Sequence, residues 1–437
     1  MKKSVPSRRA ISAIARDAKK LIAPIAGDAL RLLRKIVQTD TVAMPPDGQE
    51  GPAQKIIAQA LKRYKVDVEL YDTGFLLKSK HPYVRRDRHY RGRPNLVARI
   101  PGKGRGRSLL LTGHIDTVPP GPNKWADSPW SGRIKGGKLY GRGAWDMKGG
   151  LVAQFAVLMA LAKAGIRLSG DILSESVVDE EWGGGGGTLA GRLHGDNADA
   201  AVIAECTNFV ILRATRGGWF FDLTCRAGAP SAYFSKEEVV SPAVPIGRIL
   251  GWVDEWAKKR RGIPRGRTYK DFPDPAPVQV CALEANRFDP GNPLAVPLVG
   301  KVRIYFQFLP QEDVPAVIRE IRKSFREFCR KDPFFGVYKP EWKDAFYPAL
   351  LGHELPANHP WTKCLSASAD AVLARKVTVG AAQYPCDAFL LQKYFKIPTL
   401  VFGPEGAGAH NNDEYVKLKS VIQTAETLLA AALTWCG

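Results

Sequence analysis

Four short apolar runs in this chain each lead to a side chain that can bind a metal or move a proton, which restricts both fold and chemistry. Leu109–Leu111 runs to His114 and Asp116, Ile172–Val178 to Asp179, Glu180 and Glu181, Ala201–Ala204 to Glu205, and Thr399–Phe402 through a glycine loop to His410. Functional groups at the ends of apolar strands mark layered α/β domains, whose ligand sites lie at the carboxyl ends of the strands. His114 and Asp116 are two apart, so on an extended chain they share one side, as a ligand and its orienting carboxylate would. A loop rich in Pro and Gly lets the chain double back and bring Asp146 to the same point. Glu180 and Glu181 are adjacent and point opposite ways, so one suits a ligand and the other a general base. Taken singly, each group is more often a solvated or structural residue. Together, two His and three carboxylates suffice for two ions with Asp146 shared.

The order of elements extends this reading. Helical spacing of apolar residues marks Asp28–Val42 and Pro52–Tyr64, strand patterns mark Val66–Tyr71 and Asn95–Ile100, and Met147–Ala164 reads as a long apolar helix. After Arg216 the character changes. Gly217–Arg226, Pro242–Lys258, Pro275–Glu284, Lys301–Phe308, Glu312–Cys329 and Gly336–Trp342 follow as β-α-β-β-α-β, the ferredoxin-like order. The expected architecture is a mixed-sheet α/β catalytic domain, 28–213 and 346–437, with an inserted ferredoxin-like α+β domain, 214–345. Residues 1–27 form a basic N-terminal segment free to be flexible.

The ordered motifs GHIDTV, GRGAWDMKGG, DEEWGG, AECT and GPEGAGAHNNDEY resemble the M20-type metallopeptidase and deacylase family of acetylornithine deacetylase, succinyl-diaminopimelate desuccinylase, aminoacylase-1 and the glutamate-releasing carboxypeptidases. The resemblance runs from about Asp28 to the end. It implies a dinuclear site, zinc first with cobalt or manganese as alternatives, in which His114 and Glu205 hold one ion, Glu181 and His410 the other, and Asp146 bridges. It implies Asp116 orienting His114, Glu180 as general base, and an inserted lid domain that pairs two copies in a homodimer. The implied reaction is hydrolysis of an amide in an N-acyl amino acid or similar small molecule, with a dipeptidase or carboxypeptidase as the near alternative. Two family features are missing. The lid segment Cys225–Lys236 has no His, leaving Ser231 or Tyr233 as hydrogen-bond donors, and Phe308 stands where an Arg for a substrate carboxylate is expected. Asn292 matches the family's lid-loop Asn.

Charge suggests a competitor. Lys and Arg exceed Asp and Glu by 64 to 43, and eleven of the bases fall between Lys78 and Arg107, with Tyr83 and Tyr90 among them. Such interleaving suits a single-stranded nucleic acid, although a solvated basic loop is the commoner meaning. A metal-containing scaffold without turnover is the other non-enzymatic reading. Seven scattered Cys without a Cys-x-x-Cys pair fit reduced thiols in a cytoplasm. The Arg- and Ser-containing N-terminus leaves organellar targeting open. No apolar run approaches the ~20 residues that cross a bilayer.

Overall fold

The computed structural model describes residues 7–104, 106–226, 240–285 and 297–437. These fall into two compact units: Met1–Ala214 with Glu354–Ala382 and Cys386–Gly437, and Thr215–His353 with Gln383–Pro385.

The first unit is built on a nine-stranded mixed sheet. Its centre is four parallel strands in the order Thr399–Val401, Ala201–Ile203, Leu109–His114 and Ile172–Val177. Being parallel and covered on both faces, these strands are buried along their length and mostly apolar, with Ser174, Glu175 and Ser176 a buried polar exception and Glu175 paired with Arg192. Asn95–Ile100 adds antiparallel to Ile172–Val177, and Asp67–Tyr71 adds antiparallel beyond it. All four central strands therefore end at one edge of the sheet, and their last residues lead to His114, Glu180, Glu205 and His410.

Helix Gly149–Lys163 is apolar all round and buried over most of its length, as expected of a helix enclosed by protein rather than facing water. It packs against helices Ala26–Val37 and Leu418–Cys436, the latter flanked in turn by Pro360–Leu373. Gly150 matters to the site. A Cβ there would sit 1.6 Å from the Ala204 carbonyl oxygen, so only glycine lets the start of this helix touch the end of strand Ala201–Ile203. That approach brings Asp146 beside Glu205. Within the basic N-terminal segment Arg8–Ile22 is a helix, with Ser7 accepting from the Ala10 N–H as its cap, and Ala15, Ala18 and Ile22 lie in the main core.

The second unit is a four-stranded antiparallel sheet in the order Val278–Glu284, Val299–Phe308, Gly217–Arg226, Glu341–Leu350. Helices Ala243–Arg261 and Val314–Lys331 complete the β-α-β-β-α-β sequence. Trp219, Phe221, Ile249, Trp252, Phe306, Ile321 and Phe325 form its separate core. The last strand lies later than its sequence pattern suggests. Phe334–Val337 is one helical turn after Pro333, and pairing begins only at Glu341, where Trp342 stacks on Phe221 with ring centroids 3.9 Å apart. The first unit accordingly resumes at Glu354 rather than at 346.

Candidate metal centre

His114 ends its strand with the ring fully enclosed, and its Nδ1 lies 2.9 Å from the Asp116 main-chain oxygen. A ring N–H donated there leaves Nε2 free as a lone-pair donor. That Nε2 faces Asp146 Oδ1 at 3.3 Å and Glu205 Oε1 at 3.5 Å. On the other side of Asp146, His410 Nε2 lies 3.4 Å from Oδ2 and 3.1 Å from Glu181 Oε2. Each oxygen of Asp146 thus faces a different imidazole. The His410 ring is half exposed while the four other groups are nearly enclosed, so the cluster opens to solvent on the His410 side.

Asp116 touches both His114 and the next turn. Its carboxylate stands 3.5 Å from His114 Nδ1 and also accepts two successive main-chain N–H groups, Glu180 at 3.2 Å and Glu181 at 3.1 Å. It therefore meets His114 through its carbonyl and its carboxylate and holds the Glu180–Glu181 turn with its side chain. The turn is held from behind as well. Asp179, at φ 61°, takes Arg88 and Arg93, and Arg93 also binds Glu50. All four side chains are buried. Around them Tyr83 and Tyr90 are buried, Arg85 donates to the Trp182 carbonyl at 3.1 Å, and Arg99 pairs with Asp196 at 2.6 Å. Arg88 and Arg93, from the basic, aromatic stretch that suggested a nucleic-acid surface, are thus buried structural residues behind Glu180, while Lys78, Lys80, Arg86, Arg91 and Lys103 are exposed.

The electrostatics follow from crowding. Burial pushes Glu205 up to about 8, with the Asp146 charge adding to it. Burial and the nearby Asp387 charge hold Glu180 well above the usual carboxylate range. Asp146 stays well below that range, because hydrogen bonds from His114 and His410 outweigh its burial. The carboxylates of Asp146 and Glu181 in turn push His410 up to about 11. Protonated imidazoles balance these acids, and a divalent cation would do so at the same donor spacing. Ligands 2.0–2.1 Å from a tetrahedral ion lie about 3.3–3.4 Å apart, which is the spacing observed on both sides of Asp146. Ser231, Tyr233 and Asn292 lie outside the described residues.

Residues 110–434 match the model of peptidase family M20/M25/M40. The chain belongs to that family. As an M20 chain it is a hydrolase of the metallopeptidase and amidohydrolase type. It is 25% identical to N-formyl-4-amino-5-aminomethyl-2-methylpyrimidine deformylase of Halalkalibacterium halodurans, over 94% of each chain. It is 26% identical to succinyl-diaminopimelate desuccinylase of Gluconacetobacter diazotrophicus, over 94% of this chain and 97% of that one. In fold it is similar to a dipeptidase of Saccharomyces cerevisiae, with TM-score 0.78 at 14% identity over 97% of this chain and 98% of that one. Human carnosine dipeptidase 1 gives 0.72 at 16% over 97% and 99%.

Two carboxylates of this M20 chain belong beside the cluster although sequence spacing did not single them out. Glu414 is buried and accepts from the main-chain N–H groups of Gly143, Trp145 and Asp146. Asp387 accepts from the Thr188 hydroxyl, and burial pushes it up to about 7. The available signal was an acid within an otherwise apolar run, Cys386 to Leu391, and a second acid four residues past His410.

Proposed function

We propose that this chain deacylates a small N-acyl amine or N-acyl amino acid, with the five clustered residues holding two divalent ions, zinc in the first instance. The observation that carries the reading is the placement of Asp146, one oxygen toward His114 and Glu205, the other toward His410 and Glu181. Bound there, two ions supply the means to bring a water's pKa toward neutrality and to polarise an amide carbonyl. In this reading His114 and Glu205 hold one ion, Glu181 and His410 the other, and Asp146 both. Glu180 is the general base. Its backbone is tied down by Asp116 while its side chain pairs with no Lys or Arg among the described residues, and its burial favours accepting a proton. It takes the proton of the attacking water and returns it to the nitrogen that leaves, so a carboxylic acid and an amine are released. Support for an acyl group over a peptide comes from the deformylase and the desuccinylase, both matched over 94% of this chain.

The inserted unit carries the substrate-covering and pairing roles in this reading, giving a homodimer. All seven cysteines are free, which fits work in a reducing cytoplasm. Among the described residues no helix is long and apolar enough to cross a membrane. The test is a panel of N-formyl amines, N-succinyl and N-acetyl amino acids and dipeptides, with zinc or cobalt supplied and the released amine quantified. Acyl-amine turnover that falls 10²–10⁴-fold in Glu180→Gln is the expected result. Preference for dipeptides would make the chain a peptidase, and no cleavage of any amide by metal-loaded protein would overturn the proposal.

A further inference from the structure

The helical turn that presents Asp146, Ala144–Lys148, is kinked: Gly143 before it is at φ 78° and Asp146 within it at φ −110°, ψ 94°. Main-chain N–H groups in such a turn need partners from elsewhere, and three of them find the same one. Glu414 Oε2 accepts from Arg142 Nη1 at 2.8 Å and from the Gly143 N–H at 2.9 Å. Its Oε1 accepts from the N–H groups of Trp145 and Asp146, both at 2.9 Å. Two donors on each oxygen fill the carboxylate's accepting positions. The Glu414 carbonyl takes the Gly141 N–H at 2.9 Å, and the residues that follow, Tyr415–Lys417, pair with Lys138–Tyr140. The loop carrying His410 and the turn carrying Asp146 are therefore fastened together at Glu414, which is fully buried.

His114 and Glu205 are held differently. Each sits at or just past the end of a central parallel strand, Leu109–His114 and Ala201–Ile203, and those strands are joined to each other in register. His114 is further fixed by the Asp116 carbonyl. Neither is held by Glu414, so their ion position depends on it only through the shared Asp146, whereas the other position has both His410 and Asp146 fastened there.

We propose that Glu414 is a positioning residue that sets Asp146 against His410, and so governs one of the two ion positions, that of His410, Asp146 and Glu181, far more than the other. This rests on the two-ion reading above. Partners behind metal ligands are worth 10–100-fold in affinity, and here that loss falls on one position.

The experiment is calorimetric titration of Co2+ into metal-stripped wild type, Glu414→Gln and Arg142→Met. Gln keeps the size of Glu414 but turns one acceptor into a donor facing N–H groups. Met at 142 removes the ion pair and leaves all three main-chain donors in place. Expected are two sites in wild type and in Arg142→Met, and in Glu414→Gln one site of wild-type affinity with the other weakened 10–100-fold. Equal affinities in Glu414→Gln and wild type, equal weakening of both sites, or the same selective loss in Arg142→Met would overturn the proposal while leaving the two-ion reading intact. Fewer than two ions in wild type would overturn that reading and this proposal with it. Should circular dichroism show Glu414→Gln unfolded, Glu414→Asp, which keeps the charge but draws the oxygens back, is judged by the same outcomes.

Discussion

The buried charge cluster behind Glu180 allows a demanding test. It contains two guanidinium groups and two carboxylates, Arg88, Arg93, Asp179 and Glu50, with side-chain exposures of 0%, 3%, 1% and 0%. The cluster is neutral as it stands, and Asp179→Asn would leave one guanidinium charge uncompensated out of reach of water. Asn adopts the left-handed backbone of position 179 as readily as Asp does, so the change isolates the charge from backbone strain. Breaking a buried pair by removing one partner costs about 3–5 kcal/mol, which for a chain of this size lowers Tm by roughly 5 °C. Differential scanning calorimetry of wild type and variant measures this directly. Because the cluster is enclosed, the difference should persist in 1 M salt, where an exposed pair would be screened away. A Tm within 1 °C of wild type, or a difference that vanishes with salt, would refute the view that these bases are internal structure rather than surface.

Two further tests concern the glycine run and the second buried acid. A Cβ at Gly187 would stand 1.9 Å from the Val178 carbonyl oxygen, so Gly187→Ala should destabilise by about 1–3 kcal/mol; Gly247, in helix Ala243–Arg261 with open space around it, should gain up to about 1 kcal/mol on substitution by Ala. Urea midpoints compare the two, and equal effects would contradict the packing argument. Asp387 has its pKa raised to about 7 by burial, so the native state holds this proton more tightly than the unfolded chain, and stability is lost as pH rises from about 4 through 7. Asp387→Asn removes that loss, and its stability relative to wild type should climb between pH 4.5 and 7.5; parallel pH profiles would count against it.

Much of this was legible because strand interiors and strand ends use different chemistry. The runs before His114, Glu205 and His410 are apolar as suits central parallel strands, and the polar residue that breaks each run marks the edge of the sheet; the strand before Glu180 carries Ser174, Glu175 and Ser176 and is marked instead by its acidic end. What stayed hidden depended on contacts between distant segments. Asp116 spaced from His114 looks like an orienting carboxylate, and only the fold shows that its oxygens also take the Glu180 and Glu181 N–H groups. Glu414 and Asp387 accept mainly from main-chain N–H and hydroxyl donors in segments distant along the chain, partners that the sequence near each acid does not name. Arg88 and Arg93 read as surface because Arg is usually exposed, and only the presence of Asp179 and Glu50 across the fold permits their burial. Likewise the final strand of the inserted unit could not be dated to Glu341, since Phe334–Val337 is as apolar as a strand and is turned into a helix by Pro333.

The central claim is that one carboxylate, Asp146, is shared by two ions and that Glu180 uses the water they activate. Its most direct measurement is amide hydrolysis by metal-stripped protein as zinc is added in known equivalents, with Glu180→Gln run alongside. The account predicts that activity saturates at two equivalents, and that Glu180→Gln still takes up two but turns over at least 10²-fold more slowly. Saturation of activity at a single equivalent, or a Glu180→Gln enzyme as fast as wild type, would contradict it.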